Sequence, residues 1–153
     1  MALDNLRDTI GKLQQFDWEA ELDNIVETNT DALAQLQEDQ MYEGLDNAGQ
    51  PITLDGKGYS MKTFKLKIAK GQPTDRVTLR DTGDLYSSLK ATVSDGTFTI
   101  KGDTPYEAEL IERTGAQVYG LNKEKREQFA QNITLPAIKQ IFIEKTGYEI
   151  SST

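Results

Sequence analysis

The first forty residues carry apolar side chains at the three- and four-residue spacing of an amphipathic helix. Gly11 and the sequence QQFD at residues 14–17 fit either two helices with a bend or one continuous helix. Asn29 and Thr30 leave a weak point further on. The spacing predicts an N-terminal helical arm over residues 1–42. Its apolar positions are Leu3, Leu6, Ile10, Leu13, Trp18, Leu22, Ile25, Val26, Leu33, Leu36 and Met41.

Residues 42–60 break this pattern because turn-forming residues dominate them. The stretch YEGLDNAGQPITLDGKGYS combines glycine, proline, aspartate and asparagine with hardly any adjacent apolar residues, which predicts a loop. The next stretch, MKTFKLKIAKG at residues 61–71, alternates, with Phe64, Leu66 and Ile68 on one side and lysines between them. This two-residue period predicts a strand or a short ribbon with a lysine edge.

A β-hairpin is the most specific local prediction. Asp95 and Gly96 suit a two-residue turn, since both central positions need positive φ, which aspartate tolerates and glycine adopts freely. One face of the hairpin is then apolar and the other carries threonine and lysine, and a one-residue slip would destroy this match. The facing pairs are Val93 with Phe98, Ala91 with Ile100, Thr92 with Thr99 and Lys90 with Lys101.

Two helical segments are predicted after the hairpin. Pro105 marks the start of a helix of about nine residues, and Gly115 marks its end. Asn122 is a candidate N-cap for the final segment, in which Pro136 should cause a kink or begin a fresh helix because it lacks an amide hydrogen. The apolar stripe of this segment consists of Phe129, Ile133, Ile138, Ile141 and Phe142.

Together these elements predict an α+β fold. It has a long N-terminal helix or helix pair, a small antiparallel sheet with a β-hairpin near residues 88–101, a short helix and a C-terminal helix. At 153 residues the chain fits one domain by default, divided into the arm (1–42), an α+β part (43–147) and a polar tail (148–153). No window approaches the roughly 18 apolar residues that span a bilayer, and no signal-peptide pattern opens the chain. We therefore expect a soluble protein made or assembled in a cytoplasm, without a membrane partner.

Composition excludes several classes of chemistry. The chain has no cysteine, so disulfides and thiolate metal sites are impossible. It has no histidine, which removes imidazole zinc ligands and Ser-His or Cys-His nucleophile pairs and restricts any enzyme to carboxylate, lysine or tyrosine chemistry. Seventeen basic and 25 acidic side chains give a net charge of -8, which argues against nucleic acid as a partner.

The stretch RDTGDLYSSL at residues 80–89 has a structural and a catalytic interpretation. Its threonine can accept hydrogen bonds from the free amides of a helix start, its glycine allows a turn, and Leu85 and Leu89 would face inward one turn apart. An active site would need a partner base or a metal shell beside Asp81 and Asp84. The helix start is the favoured interpretation, since it accounts for every residue of the stretch.

Three other charged stretches have similar pairs of interpretations. Residues 46–56 carry the oxygen-bearing side chains of a calcium loop but lack the alternating acidic ligands and terminal glutamate of an EF-hand, which favours a surface turn. Glu109 and Glu112 could form a carboxylate pair with Glu107 nearby, but no apolar pocket is evident around them, which favours a solvated face. The lysines of residues 57–70 fit either an interface with an acidic partner or DNA, or protection of a strand edge.

Four stretches, in this order, resemble the phage virion-morphogenesis and tail-completion family, small structural proteins of head–tail joints and minor tail components. EGLDNAGQPITL (43–54) is similar to the family's glycine turn, although Ile52 stands where an aromatic residue is usual. LRDTGDLYSSL (79–89) matches the family's Leu-x-x-Thr-Gly-x-Leu-x-x-Ser run. IKGDTPYEAELIERTG (100–115) resembles its Tyr-Ala segment after a hairpin, and LPAIKQIF (135–142) resembles its closing helix.

The resemblance implies an α+β subunit of a homo-oligomeric ring, in contact with portal, neck or tail proteins of a virion assembled in the host cytoplasm. It implies a head–tail connector or minor tail protein with no catalytic residue, metal or cofactor. A helical arm, a polar loop and a lysine-rich ribbon suit such a role, since ring closure needs a different surface on each side of the subunit. The positions that match the family's motifs are Leu79, Arg80, Asp81, Thr82, Gly83, Leu85, Ser88, Leu89, Tyr106 and Gly115.

A small carboxylate-dependent hydrolase, either cell-wall degrading or nucleolytic, is the alternative from another class, and a binding module or inhibitor is a third. The chemistry of the hydrolase would come from Asp81, Asp84, Glu109 and Glu112. Single replacement of these residues distinguishes the classes, because a hydrolase would lose turnover with its fold intact. A structural protein would show assembly defects alone.

Overall fold

The fold is α+β, as the sequence predicts, and helices account for most of it. The structure is a computed structural model and describes residues 2–148. Within these residues the sheet is one antiparallel pair of strands. The elements in chain order are α1 (Ala2–Gln14), α2 (Trp18–Thr28), α3 (Thr30–Tyr42), α4 (Met61–Ala69), α5 (Asp84–Ser88), β1 (Lys90–Ser94), β2 (Thr97–Lys101), α6 (Glu107–Thr114), a 3-10 turn (Ala116–Val118), α7 (Lys123–Phe129), a π-helical turn (Ala130–Thr134) and α8 (Leu135–Thr146).

Helices α1, α2 and α3 confirm the helical pattern of the first forty residues and interrupt it twice. The first break follows Gln14, and Asp17 then caps α2 by accepting a hydrogen bond from the amide of Ala20 at 3.1 Å. The second break is at Asn29, the predicted weak point. Helix α1 packs against α8, while α2 and α3 pack against the hairpin. The helical arm therefore lies on the rest of the chain.

Residues 43–60 form the predicted loop. Two of its acidic side chains, those of Asp46 and Asp55, make hydrogen bonds or ion pairs within the protein. The carboxylate of Asp46 accepts hydrogen bonds from the amides of Ala48 and Gln50, both at 2.9 Å. Asp55 pairs with Arg113 of α6, with 3.0 Å between Oδ2 and Nε. These contacts fit the predicted surface turn and tie the loop to α6.

The predicted strand or lysine-edged ribbon at residues 61–71 is wrong, since most of this stretch forms helix α4. Ser60 caps the helix, because its hydroxyl accepts a hydrogen bond from the amide of Thr63 at 3.2 Å. The alternation that suggested a strand covers only a few residues. Lys67 is buried on the inner side of the helix, and this burial favours the helical spacing over the two-residue spacing of a strand. Because residues 61–69 are helical, the interpretation of these lysines as protection of a strand edge is wrong as well.

The predicted hairpin is confirmed in position and in register. Asp95 and Gly96 have φ values of 49° and 73°, positive as this two-residue turn requires. Ile100, on the apolar face, is 2% exposed and lies in the core. The paired residues are Lys90 with Lys101, Ala91 with Ile100, Thr92 with Thr99, Val93 with Phe98 and Ser94 with Thr97.

The C-terminal half follows the predicted boundaries closely. Helix α6 begins two residues after Pro105 and ends at Gly115, whose φ is 87°. Asn122 caps α7 by accepting a hydrogen bond from the amide of Lys125 at 3.0 Å. Pro136 lies in the first turn of α8, but it does not begin a fresh helix, because α8 follows α7 directly through the π-helical turn with helical dihedral angles at both junctions. Because proline has no amide hydrogen, the regular hydrogen-bond ladder is interrupted here.

One hydrophobic core joins the N-terminal helices to the rest of the chain. Leu33 and Met41 of α3 are completely buried in it, so residues 1–42 and 43–147 share their packing. The buried members of this core are Leu33, Met41, Ile52, Val77, Leu85, Tyr86, Leu89, Ile100, Val118, Tyr119, Leu121 and Phe129.

Two glutamines of α3 bind the main chain of residues 118–122, a contact that the sequence did not predict. Gln37 and Gln40 are both completely buried. The amide of Gly120 donates to Gln37 Oε1 at 2.8 Å, and the amide of Asn122 donates to Gln40 Oε1 at 2.7 Å. Both side-chain amides donate in return to carbonyl oxygens of the same segment, at 3.3 and 2.9 Å. We call this pair the glutamine clamp; it satisfies main-chain groups that burial would otherwise leave without partners.

Two further predictions from the sequence concern the membrane and the polar tail. No helix within residues 2–148 is both long enough and apolar enough to cross a bilayer. The predicted polar tail begins at Tyr148, and residues 149–153 lie outside the part of the chain that the structure describes.

Candidate interaction surface

The turn at residues 78–83, which carries half of the motif positions, is held by side chains from other elements. We call it the polar turn. The amide of Thr78 donates to the hydroxyl of Tyr59 at 2.8 Å, and the hydroxyl of Tyr86 donates to the carbonyl of Thr78 at 2.6 Å. Leu79 adopts a φ of 57°, a left-handed conformation that costs a non-glycine residue about 1–2 kcal/mol. Both tyrosines hold the main chain at Thr78, the residue directly before this strained leucine.

Lys67 of α4 is the third side chain that holds the polar turn. It is only 6% exposed, and its Nζ donates to the carbonyl oxygen of Arg80 at 2.5 Å and to Gln72 Oε1 at 3.1 Å. The same ammonium group lies 4.9 Å from the centre of the Tyr59 ring. Hydrogen bonds and the ring face together replace the water that burial removes from the charge.

Asp81 joins the polar turn to α4 from the solvent side. Its carboxylate forms an ion pair with Lys70, and its carbonyl oxygen accepts a hydrogen bond from Gln72 Nε2 at 3.1 Å. The hydrogen bond from Lys70 lowers the pKa of Asp81, and its effect outweighs that of burial, which acts in the opposite direction. Asp81 is therefore kept ionised, the opposite of what a general acid requires.

The polar turn leads directly into α5, as the sequence predicts. Gly83, with φ of 93°, occupies the N-cap position, and Thr82 Oγ1 accepts a hydrogen bond from the amide of Asp84 at 3.3 Å. Leu85 and Leu89 are both buried in the core. The cap is thus glycine in a left-handed conformation, and threonine supports it from one residue before.

A groove with a volume of about 490 Å³ lies between α4, the polar turn and α6. Its lining combines apolar side chains with charged side chains of both signs. It brings the polar turn next to Tyr106, a motif position more than twenty residues away in sequence. Its lining residues are Leu54, Tyr59, Thr63, Leu66, Lys67, Lys70, Leu79, Arg80, Asp81, Thr82, Asp84, Tyr106, Glu109, Leu110 and Arg113.

Five motif positions lie outside this groove and have structural roles, and one of them is Gly83, the N-cap residue of α5. Leu85 and Leu89 belong to the core, and Gly115 ends α6. The hydroxyl of Ser88 donates to the carbonyl of Leu85 at 2.8 Å and accepts a hydrogen bond from the amide of Asp103 at 2.9 Å. Ser88 thus links the end of α5 to the segment that follows the hairpin.

The structure brings together three of the four carboxylates of the hydrolase alternative. Asp81, Asp84 and Glu109 line the groove, whereas Glu112 is exposed elsewhere on α6. Among the described residues, no group of three or more acidic side chains is placed to hold a metal ion. A groove hydrolase would therefore act through these carboxylates with the lysines and arginines beside them.

Glu107, the first residue of α6, is partly buried and binds groups inside the protein. It accepts hydrogen bonds from the hydroxyl of Tyr119 at 2.6 Å and from Thr104 Oγ1 at 3.0 Å. Burial raises the pKa of Tyr119 well above its usual range, and the hydrogen bond to Glu107 raises it further. The pair therefore joins α6 to the segment bound by the glutamine clamp.

Helix α4 turns two polar residues inward and three of its apolar residues outward. Thr63 and Lys67, one turn apart, face the polar turn and the groove. Met61, Phe64 and Ile68 lie on the opposite side and are 69, 37 and 59% exposed. We call this side the outer face of α4, defined by Met61, Lys62, Phe64, Lys65 and Ile68.

Sequence reasoning missed the residues that hold the polar turn. From the sequence alone, Tyr59 and Tyr86 look like ordinary core residues, and Lys67 looks like one of several solvated lysines. A signal was present, because Ser60 directly before Met61 suits the N-cap position of a helix. Helical spacing would then have placed Lys67 on the same face as Thr63 and apart from Lys65.

Comparison with protein-family models, curated proteins and solved structures finds no match to this chain. Function is therefore inferred from the chain's own residues and their geometry.

Proposed function

We propose that this protein is a structural component of a bacteriophage virion, assembled in the host cytoplasm. It acts as a ring-forming subunit at the head–tail (neck) junction or at the tail end, through contacts with portal, neck or tail proteins. The motif resemblance supports this proposal. The motif residues have structural roles in this fold: they form the polar turn, start α5, fill the core and end α6.

The observation that carries the proposal is the outer face of α4. An exposed apolar patch rimmed by charged residues is typical of a surface that another protein covers. Lys67 and Lys70 anchor the opposite side of the helix through the polar turn, so the apolar side is held outward. A protein that acts by contact needs such a presented surface.

Helix α1 supplies a second exposed apolar stripe. Leu3, Leu6 and Ile10 recur at helical spacing and are 70, 51 and 45% exposed, while the helix packs against α8. Two separate contact surfaces suit a subunit that joins its own copies and also binds a different virion protein. Each surface is a candidate for one of these contacts.

Gene deletion combined with particle analysis tests the proposed function. We expect mature particles to contain the chain in a fixed number of copies, measured by quantitative mass spectrometry of purified virions. We expect deletion to leave heads and tails unjoined, or tails unfinished, in electron micrographs, with rescue by the gene supplied in trans. Mature, infectious particles that lack the protein would refute the proposal.

The hydrolase alternative is supported by one observation, the position of Asp81, Asp84 and Glu109 on a single groove. We would test Asp81→Asn, Asp84→Asn and Glu109→Gln singly against peptidoglycan and DNA, with circular dichroism to monitor the fold. Glu112→Gln is the matched control, because Glu112 lies outside the groove. A groove hydrolase loses turnover in the first three variants only, whereas a structural protein shows no turnover in any.

A further inference from the structure

The outer face of α4 combines exposed apolar side chains with lysines that lack ion pairs. Lys62 and Lys65 lie beside Met61, Phe64 and Ile68, and both lysines are exposed. Neither forms an ion pair with any residue that the structure describes. The face thus presents uncompensated positive charge around apolar surface.

A second surface has the opposite charge. A groove with a volume of about 570 Å³ lies between α2 and the turn of the hairpin. Leu22, 37% exposed, contributes its apolar part. We call it the acidic groove; its lining residues are Glu19, Leu22, Asp23, Asp95 and Gly96. Its three carboxylates take part in no ion pair within residues 2–148.

The charges of the chain are segregated in the same way along the sequence. Every charged side chain from residue 13 to residue 56 is acidic, and every charged side chain from residue 57 to residue 74 is a lysine. In a protein with a net charge of -8, two copies repel each other in most orientations. The orientation that brings the lysines of α4 to the acidic groove is an attractive one.

We propose that the outer face of α4 docks into the acidic groove of a second copy of this chain. Phe64 and Ile68 would cover Leu22 of the neighbour, and Lys62 and Lys65 would pair with the carboxylates around it. The two surfaces share no residue, so one such contact leaves a free surface of each kind, and a ring forms when these bind further copies instead of pairing back on the same neighbour. This inference rests on the proposed function, since it identifies the surfaces through which the ring closes.

Disulfide trapping tests this contact directly, because the chain has no cysteine of its own. We would mix full-length Ile68→Cys protein with full-length Leu22→Cys protein under mild oxidation. The expected product is a disulfide-linked heterodimer that forms about tenfold faster than the one from Ile68→Cys with Gln140→Cys, since docked surfaces raise the effective thiol concentration. Formation should slow in about 1 M salt, where charges are screened beyond roughly 3 Å.

Charge exchange provides an independent test on the same cysteine pair. Lys62→Glu with Lys65→Glu on the α4 side should abolish the acceleration, and so should Glu19→Lys with Asp23→Lys on the groove side. Combining both reversals should restore it, because opposite charges face each other again. The control matched to the α4-side reversal is Lys101→Glu with Lys139→Glu, which lowers the net charge by the same amount outside both surfaces and should leave the acceleration intact.

Three results would overturn the inference. They are a rate no faster than that of the control pair, a preference for the 68–68 or 22–22 disulfide, and a failure of the combined reversals to restore the rate. Particle composition separates this failure from failure of the proposed function. A chain present in virions without the 22–68 contact refutes only the docking surface, whereas a 22–68 contact in a chain absent from virions refutes only the virion role.

Discussion

Lys67 Nζ donates a hydrogen bond to the carbonyl oxygen of Arg80 across 2.5 Å, and this bond joins the inner face of α4 to the polar turn. Because the lysine is buried, the bond fixes the orientation of the whole helix. The polar side of α4 is held inward by it, and the apolar side is therefore left in solvent. The contact surface and the motif turn are thus two parts of one arrangement.

Replacing Lys67 tests that arrangement. Lys67→Met keeps the length of the side chain but removes the hydrogen bonds to Arg80 and Gln72, so we expect a loss of about 1–3 kcal/mol in the free energy of unfolding. Urea denaturation followed by circular dichroism measures it. Lys65→Met, on the exposed side of the same helix, is the control and should change stability by less than about 0.5 kcal/mol. Equal effects of the two variants would contradict the role of Lys67.

The glutamine clamp predicts a crossed pattern of amide exchange. Gln37→Leu removes the acceptor of the Gly120 amide, and Gln40→Leu removes the acceptor of the Asn122 amide. Each variant should lose about 1–3 kcal/mol of stability, because a buried amide is left without a partner. Hydrogen exchange measured by NMR should accelerate most at Gly120 in the first variant and at Asn122 in the second.

Gln35→Leu is the control for the clamp, since Gln35 lies on the exposed side of α3 and its side-chain amide donates to Asp39 Oδ1 at 3.1 Å. It should leave exchange at both amides unchanged. Identical exchange profiles in the Gln37→Leu and Gln40→Leu variants would argue against two separate acceptors.

Gly102→Ala should destabilise the protein for steric reasons. A Cβ atom at this position would overlap Glu107 Oε1 and would lie 2.6 Å from the Tyr119 hydroxyl and 2.8 Å from Leu85 Cδ1. We expect a loss of about 1–3 kcal/mol, the usual result of overpacking a filled site. Gly58→Ala is the matched control, since a Cβ there meets nothing within 4 Å. Similar midpoints of thermal unfolding for the two variants would contradict this packing.

Stability should decline in alkaline solution. Burial raises the pKa of Tyr86 and of Tyr119 well above the ordinary value of 10.0. The folded protein keeps phenolic protons that the unfolded chain releases, so this stabilisation is complete below about pH 10 and is lost as the pH rises further, towards the raised pKa values.

Urea titrations across this pH range measure the effect. In Tyr86→Phe and Tyr119→Phe, the free energy of unfolding should fall less steeply above about pH 10 than in the parent protein. Lysine deprotonation is common to all three proteins and cancels in the comparison. Between pH 7 and 9 the slopes should coincide, and a steeper alkaline slope in either variant would reverse the sign of the argument.

Sequence reasoning succeeded where local chemistry decides the structure. The Asp95-Gly96 turn sets the register of the hairpin locally, Gly115 and Pro136 mark helix boundaries through their backbone properties, and Asn122 does so through its side-chain oxygen. Each of these features involves residues close together in the chain. The α+β class follows from them.

Sequence reasoning failed where contacts between residues far apart in the chain decide the structure. The stretch around Phe64 and Ile68 fits both a strand and a helix, and the buried contact of Lys67 with Arg80 selects the helix. Gln37 and Gln40 resemble solvated helix positions until residues 118–122 are placed against them. The groove likewise brings Tyr106 to the polar turn by tertiary packing, which no local pattern contains.

The glutamine clamp also bears on how the chain is made. Between 80 and 83 positions separate its hydrogen-bonding partners in sequence. On the ribosome, α3 is synthesised long before residues 118–122. The side-chain amides of Gln37 and Gln40 therefore stay hydrated through most of translation. Closing so long a loop costs entropy before any contact repays it. Folding of the core should therefore wait until the segment after α6 has left the exit tunnel.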